Sequence, residues 1–355
     1  MEKDQRFEQL TDSCVKRAVE LLSIDSPTGY TRMAAAYVAD AYRSMGLRPE
    51  TTQKGGVLVC LNPDAPEENA LMLEAHADTL GGMVAEISGS GRLHLTPLGG
   101  MEPNNAEGEN VRVITRSGKI YTGTFQLKNA SVHVNRDYHA AKREYKGMEV
   151  VIDEEVSSRS DVEALGILPG DIVCFEPRTR VTDSGYIKSR FLDDKLSVAI
   201  LLELASQAAS GAVKPARRVW QHITVFEEVG HGGAASVPAG VSEALSVDMG
   251  CVGDGLGCDE RKVSICAKDS GGPYHYEVVS ALIDAARRGG ADFAVDVYPA
   301  YGSDVESTLH AGHDLRHGLI GPGVYASHGY ERSHRKGVCN TLRLLEAYLT
   351  YAPCR

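Results

Sequence analysis

The chain lacks a cationic surplus: 37 Lys and Arg face 48 Asp and Glu, a formal net charge of −11, and no basic stripe interrupts that balance. Nucleic-acid affinity rests on clustered cations that release counterions, so no such partner is expected. The sequence has no run approaching the roughly 18 apolar residues of a membrane span, and its charged opening, Glu2-Lys3-Asp4-Gln5-Arg6, leads into no apolar segment. A cytoplasmic protein without a membrane partner is the expectation. Eight cysteines (Cys14, Cys60, Cys174, Cys251, Cys258, Cys266, Cys339, Cys354) include no Cys-x-x-Cys pair, which excludes a zinc ribbon or dithiol motif and leaves the thiols as apolar filler. No repeat of solenoid period is found.

What is present describes a large globular chain. Its 355 residues exceed the length at which one hydrophobic core stops growing, roughly 250 to 300, so a domain carrying an insert is expected. Apolar and charged contents of 43% and 24% suit a folded protein, and 37 glycines point to many turns. Helical spacing covers residues 8–23 and 31–45, and short apolar strands cover 57–61 and 70–75, the latter running into His76. From about 84 to 188 the pattern becomes short strands between Gly-rich turns, at 112–115, 119–121, 149–152 and 171–175, as in a small barrel or sandwich. An apolar helix at 194–209 and a strand at 219–226 then restore the alternation. The simplest reading is one α/β domain interrupted by a β insert.

Short polar clusters follow these apolar segments, where α/β enzymes place their sites. His76-Ala77-Asp78 offers an imidazole with a carboxylate to orient it, though alone it reads equally as a core histidine beside a capping Asp. Asp193-Asp194 opens a helix, where acidic residues also favour the dipole. Glu227-Glu228 follow an apolar strand, and adjacent carboxylates at such a place favour a nearby cation. Asp248 ends a further strand, and His328, with His334 after it, follows Tyr325. Together these form an oxygen and nitrogen donor set suited to zinc, cobalt or manganese.

The ordered set His76-x-Asp78, Asp193-Asp194, Glu227-Glu228, Asp248 and His328 resembles the glutamyl and tetrahedral aminopeptidases, a family of dinuclear metallopeptidases. Gly81-Gly82-Met83, Gly166-Ile167-Leu168-Pro169-Gly170-Asp171 and Gly302-Ser303-Asp304 support it across nearly the whole chain. About a hundred residues separate His76 from Asp193, where carboxypeptidase and deacylase relatives carry their extra domain later. Two departures stand out: His231 follows Glu227-Glu228-Val229-Gly230, and His328 lies in Ser327-His328-Gly329-Tyr330, so that His334 is the alternative last ligand.

The resemblance implies a mixed-sheet three-layer α/β/α domain built from residues 1–84 and 188–355, with a small β-barrel, residues 85–187, inserted as an oligomerisation module. It implies two divalent metal ions per subunit, zinc in the first instance and cobalt or manganese otherwise. Asp193 would bridge them, His76 and Asp248 would complete one site, and Glu228 and His328 the other. Glu227 would be the general base, Asp78 would orient His76, and Asp194 would shape the bridge. Short peptides with a free N-terminus would be the substrates, and the chain would assemble with itself, in the family's manner as a dodecamer. His231, Asp269, Ser303, Asp304, His310 and His313 are candidates to face the substrate. The rival readings are a related two-metal deacylase, carboxypeptidase or aspartyl-type aminopeptidase, and, from another class, a scaffold without turnover.

Overall fold

A computed structural model describes residues 2–351 of the chain, which leaves Cys354 outside the described residues. The opening helix, Glu2–Leu22, begins a little before its apolar periodicity does, and the second, Arg32–Ser44, ends just before Gly46, whose φ of 82° suits a residue without a Cβ. The strand Ala70–His76 is buried along its whole length. Val219–Thr224 and Val241–Val247 flank it, both parallel to it, and Arg316–Tyr325 lies parallel on the far side of Val241–Val247. Parallel strands of this kind are covered on both faces, which is why they read as continuous apolar runs.

The two faces divide by the pleat. Leu71 and Leu73 point into a core shared with the helices Glu2–Leu22, Leu192–Ala209 and Arg335–Leu349. Met72 points the other way, into a cluster with Tyr274, Tyr298 and Val305, the last from the short helix Asp304–His310. The result is a three-layer α/β/α arrangement around a 12-stranded mixed sheet. Leu192–Ala209 carries apolar residues on every side, and every residue from Leu192 to Ala205 is buried, as expected of a helix enclosed by other elements.

Six strands close into the barrel: Gly81–Ile87, Leu93–Leu98, Glu109–Ile114, Ile120–Leu127, Met148–Ile152 and Ile172–Phe175. The first two escape the sequence pattern. Gly81 is in the strand because a Cβ there would fall 2.5 Å from that of Pro27, so close approach hides what propensity would show. The inserted barrel returns to the main sheet through Tyr186–Ser189, antiparallel to Glu331–His334. Among the described residues no helix is long and apolar enough to cross a membrane, and seven cysteines are free thiols.

Candidate active site

Register delivers three of the candidate residues to one edge of the sheet. His76 ends its strand and pairs with Thr224 of the parallel neighbour, whose chain continues to Glu227. On the other side Val247 ends its strand one residue before Asp248. Phe226 and Phe191 adopt left-handed φ values of 70° and 69° and so turn the chain sharply just before Glu227-Glu228 and Leu192-Asp193. The Asp193-Asp194 peptide bond is cis. His328 enters from the end of Arg316–Tyr325, in a loop where its own φ is 62°.

Two groups of donor atoms result, each with its atoms within 4.8 Å of one another: His76, Asp193 and Asp248, and Asp193, Glu228 and His328. Asp193 belongs to both. Its Oδ1 lies 3.1 Å from His76 Nε2, and its Oδ2 lies 3.6 Å from His328 Nε2. Glu228 Oε2 is 3.7 Å from His328 Nε2. Glu227, outside both groups, has its Oε2 3.7 Å from His76 Nε2. His76 is 1% exposed whereas the His328 side chain is 42% exposed, so the cluster opens on the His328 side.

The electrostatics call for cations. Burial, joined by repulsion from neighbouring carboxylates, holds Asp194, Glu227 and Glu228 well above the usual carboxylate range and pushes Asp248 up to about 7. Burial would also raise Asp193, but its bond to His76 together with the attraction of His76 and His328 lowers it. Burial opposes a charge on His76, yet Glu227, Asp193 and Asp248 overcome it and hold the imidazole well above its ordinary range. Imidazole and carboxylate donors crowded in this way, with Asp194 Oδ1 buried and unpartnered beside them, fit divalent metal binding.

A second layer of contacts fixes the donors. The Asp78 backbone carbonyl accepts from His76 Nδ1 at 2.9 Å, which leaves Nε2 free as a ligand atom. The Asp78 carboxylate accepts the backbone N–H of Glu227 at 3.1 Å and the Thr28 hydroxyl at 2.7 Å. Asp194 Oδ2 accepts the His76 backbone N–H at 3.2 Å. The Gly100 carbonyl, on the barrel loop between Leu93–Leu98 and Glu109–Ile114, lies 3.3 Å from His328 Nδ1. Glu331 was missed in sequence; it is 2% exposed and accepts backbone N–H groups of both Asp193 and His328. Its only sequence signal is a carboxylate three residues after His328 that is flanked by strand residues.

The cluster lies in a cavity of ≈ 650 Å³ that is also lined by Glu102 and Asn105 of the barrel, Tyr301, and Ser303, Asp304 and His310. The other candidates for substrate contact lie elsewhere. The His231 ring stacks on Phe226 with centroids 5.1 Å apart, buried Asp269 borders a small side recess with Glu306 and is bonded to the Tyr274 hydroxyl, and His313 follows the turn after Asp304–His310. His334 is not with the donors: it caps the helix Arg335–Leu349 by accepting the Lys336 N–H.

The profile of the family described as M42 glutamyl aminopeptidase matches residues 55–344. A putative aminopeptidase of Bacillus subtilis, YhfE, is 44% identical over 330 residues, covering 93% of this chain and 95% of its own. Among solved structures, an aminopeptidase from the archaeon Desulfurococcus kamchatkensis superposes with a TM-score of 0.84 at 23% identity, covering 96% of each chain. A TET1 peptidase of Pyrococcus horikoshii, described as able to assemble into a tetrahedron or a large octahedral shell, gives 0.84 at 20% identity over 96% of this chain and 100% of that one.

Proposed function

The chain belongs to the M42 glutamyl aminopeptidase family and is an aminopeptidase; from that premise we propose that it releases single N-terminal residues from peptides using two divalent ions and Glu227 as general base. His76, Asp193 and Asp248 would hold one ion, and Asp193, Glu228 and His328 the other. The observation that carries this reading is the shared Asp193, whose two oxygens face two separate donor groups. Bound there, the ions would supply Lewis acidity, making water nucleophilic near neutral pH and withdrawing charge from the scissile carbonyl.

The protein's own groups do the rest. Glu227 takes a proton from the attacking water as its oxygen bonds to the carbonyl carbon, and passes that proton to the departing amine as the C–N bond breaks. Asp78 holds both participants: it fixes the tautomer of His76 and anchors the backbone of Glu227. Glu331 keeps Asp193 and His328 in register with each other. The remaining cavity acids, with the Asp193 carboxylate shared by the two donor groups, suit a substrate that enters with a charged free α-amine. Self-assembly through the barrel belongs to the same proposal, supported by the tetrahedral and octahedral shells described for the Pyrococcus structure.

The test supplies zinc, cobalt or manganese in turn and follows paired free and N-acetylated peptides by mass spectrometry. Stepwise loss from free N-termini alone is the expected result. Release of acyl groups or of C-terminal residues would transfer the chain to the related two-metal hydrolases, and no cleavage with any ion would point to a scaffold.

A further inference from the structure

We infer that Glu306, backed by Asp269, determines specificity by receiving the cationic side chain of an N-terminal lysine or arginine, an inference that rests on the aminopeptidase reading above. The helix Asp304–His310 turns Glu306 toward the same cavity that holds the donor cluster. Its half-buried carboxylate lies against the loops of Gly271 and Gly302: a Cβ on Gly271 would fall 2.0 Å from Glu306 Oε1, and one on Gly302 would fall 3.0 Å from Oε2.

Behind it, Asp269 is 1% exposed, accepts the Gly271 N–H at 3.0 Å and the Tyr274 hydroxyl, and lies within hydrogen-bonding reach of Glu306. Glu306 and Asp269 also border a recess of ≈ 60 Å³ with Leu309 and His310, a place for the apolar stem and charged head of a long side chain. No Lys or Arg neutralises the pair among the described residues. The nearest candidate, Lys268, donates its ammonium to the Asp269 backbone carbonyl at 2.8 Å. Burial and the adjoining Asp269 push Glu306 up to about 8, a repulsion that an ammonium or guanidinium beside the pair would relieve.

Asp304, 3% exposed, also borders the cavity, with its Oδ2 accepting the Thr224 hydroxyl and its Oδ1 buried against Gly232. The balance of charge adds to this. Glu102, Asp304 and Glu306 line a cavity that no Lys or Arg lines, with Lys54 close enough to Asp304 for their charges to interact. Such a field favours a cationic side chain and repels an acidic one.

The experiment uses the full chain with whichever ion supports hydrolysis and a matched series X-Ala-Ala-amide, with X as lysine, arginine, norleucine or glutamate, and N-acetyl-lysine as control. Lysine and arginine peptides should exceed norleucine by about ten- to a hundredfold in kcat/KM, the value of a charge-assisted hydrogen bond, with glutamate last. Glu306→Gln should lower the lysine-to-norleucine ratio by about tenfold, and Glu306→Lys should place glutamate above lysine. Calorimetry on Glu227→Gln protein should show tighter binding of lysinamide than of norleucinamide, a preference lost when Glu306→Gln is added. Equal cleavage of norleucine and lysine peptides, with the acetylated control intact, overturns the specificity and leaves the aminopeptidase reading standing. Failure to cleave any free-amine peptide overturns both.

Discussion

The Glu331 carboxylate accepts the backbone N–H of Asp193 through Oε2 at 3.1 Å, and with its other oxygen it accepts the N–H of His328 at 3.0 Å. A single buried side chain thus sets the spacing between the shared carboxylate and the most exposed imidazole of the cluster. Glu331→Ala leaves two N–H groups without an acceptor and frees both loops to move. Loss of a group that orients ligands costs about 10- to 100-fold in metal affinity. Competition with a chelator should show that loss, mainly for the ion held by His328. Glu331→Gln, which keeps one acceptor oxygen, should fall between. Unchanged affinity in the alanine variant would remove Glu331 from the positioning network.

The barrel reaches the same imidazole from the opposite side. A Cβ on Gly100 would fall 2.8 Å from His328 Nδ1 and 3.1 Å from Cε1, so Gly100→Ala must push the ring off its present position. The His76 group contains no barrel residue. Metal stoichiometry by mass spectrometry should therefore fall toward one ion per subunit at limiting concentrations, with the His76 site still filled. Two ions retained at wild-type affinity would show that the barrel loop only borders the site.

Glu227 separates binding from chemistry. Because it stands outside both donor groups, Glu227→Gln should keep both ions while kcat falls by about two to four orders of magnitude, the usual range for a general base or somewhat beyond. Turnover within a few-fold of the parent protein would mean that another group takes the proton.

Much of this arrangement was legible in the sequence because parallel strands end at a common edge. Ala70–His76 and Val241–Val247 each run apolar and then stop at a polar residue, and period and composition mark that point. The element types and the inserted barrel were legible in the same way. What stayed hidden depends on contacts between distant segments. Gly81–Ile87 looks like a loop because it opens on two glycines, the first of them demanded by Pro27, more than 50 residues earlier in the chain. Gly100 meets His328 across 228 residues, and Glu306 meets Asp269 across two loops. No local pattern encodes such meetings. His334 was a plausible ligand by residue type, but a helix begins immediately after it and turns its Nδ1 to capping.

Glu74 gives a stability test independent of turnover. It is fully buried beneath the site, with Oε2 accepting the Thr308 hydroxyl at 3.3 Å and Oε1 unpartnered, 3.4 Å from His222 Nδ1. Burial pushes Glu74 up to about 8 and His222 down to about 4, so near neutral pH both are uncharged. A carboxyl whose folded pKa exceeds its unfolded value contributes stability that is complete below the unfolded pKa, about 4.3, and is lost as pH rises through 8. For His222 the sign is opposite, with stability lost as pH falls from the unfolded value of about 6.5 through 4. Below about pH 6.5 the two trends oppose each other, and above it only Glu74 titrates. Glu74→Gln copies the protonated carboxyl and removes its ionisation. In chelator, the variant should therefore gain stability relative to the parent as pH rises from 6.5 to 9, by about 1 to 3 kcal/mol, measured by urea unfolding at fixed pH. A difference that stays flat across that window would show that Glu74 is already ionised at neutral pH and is held by a counter-charge instead of a proton.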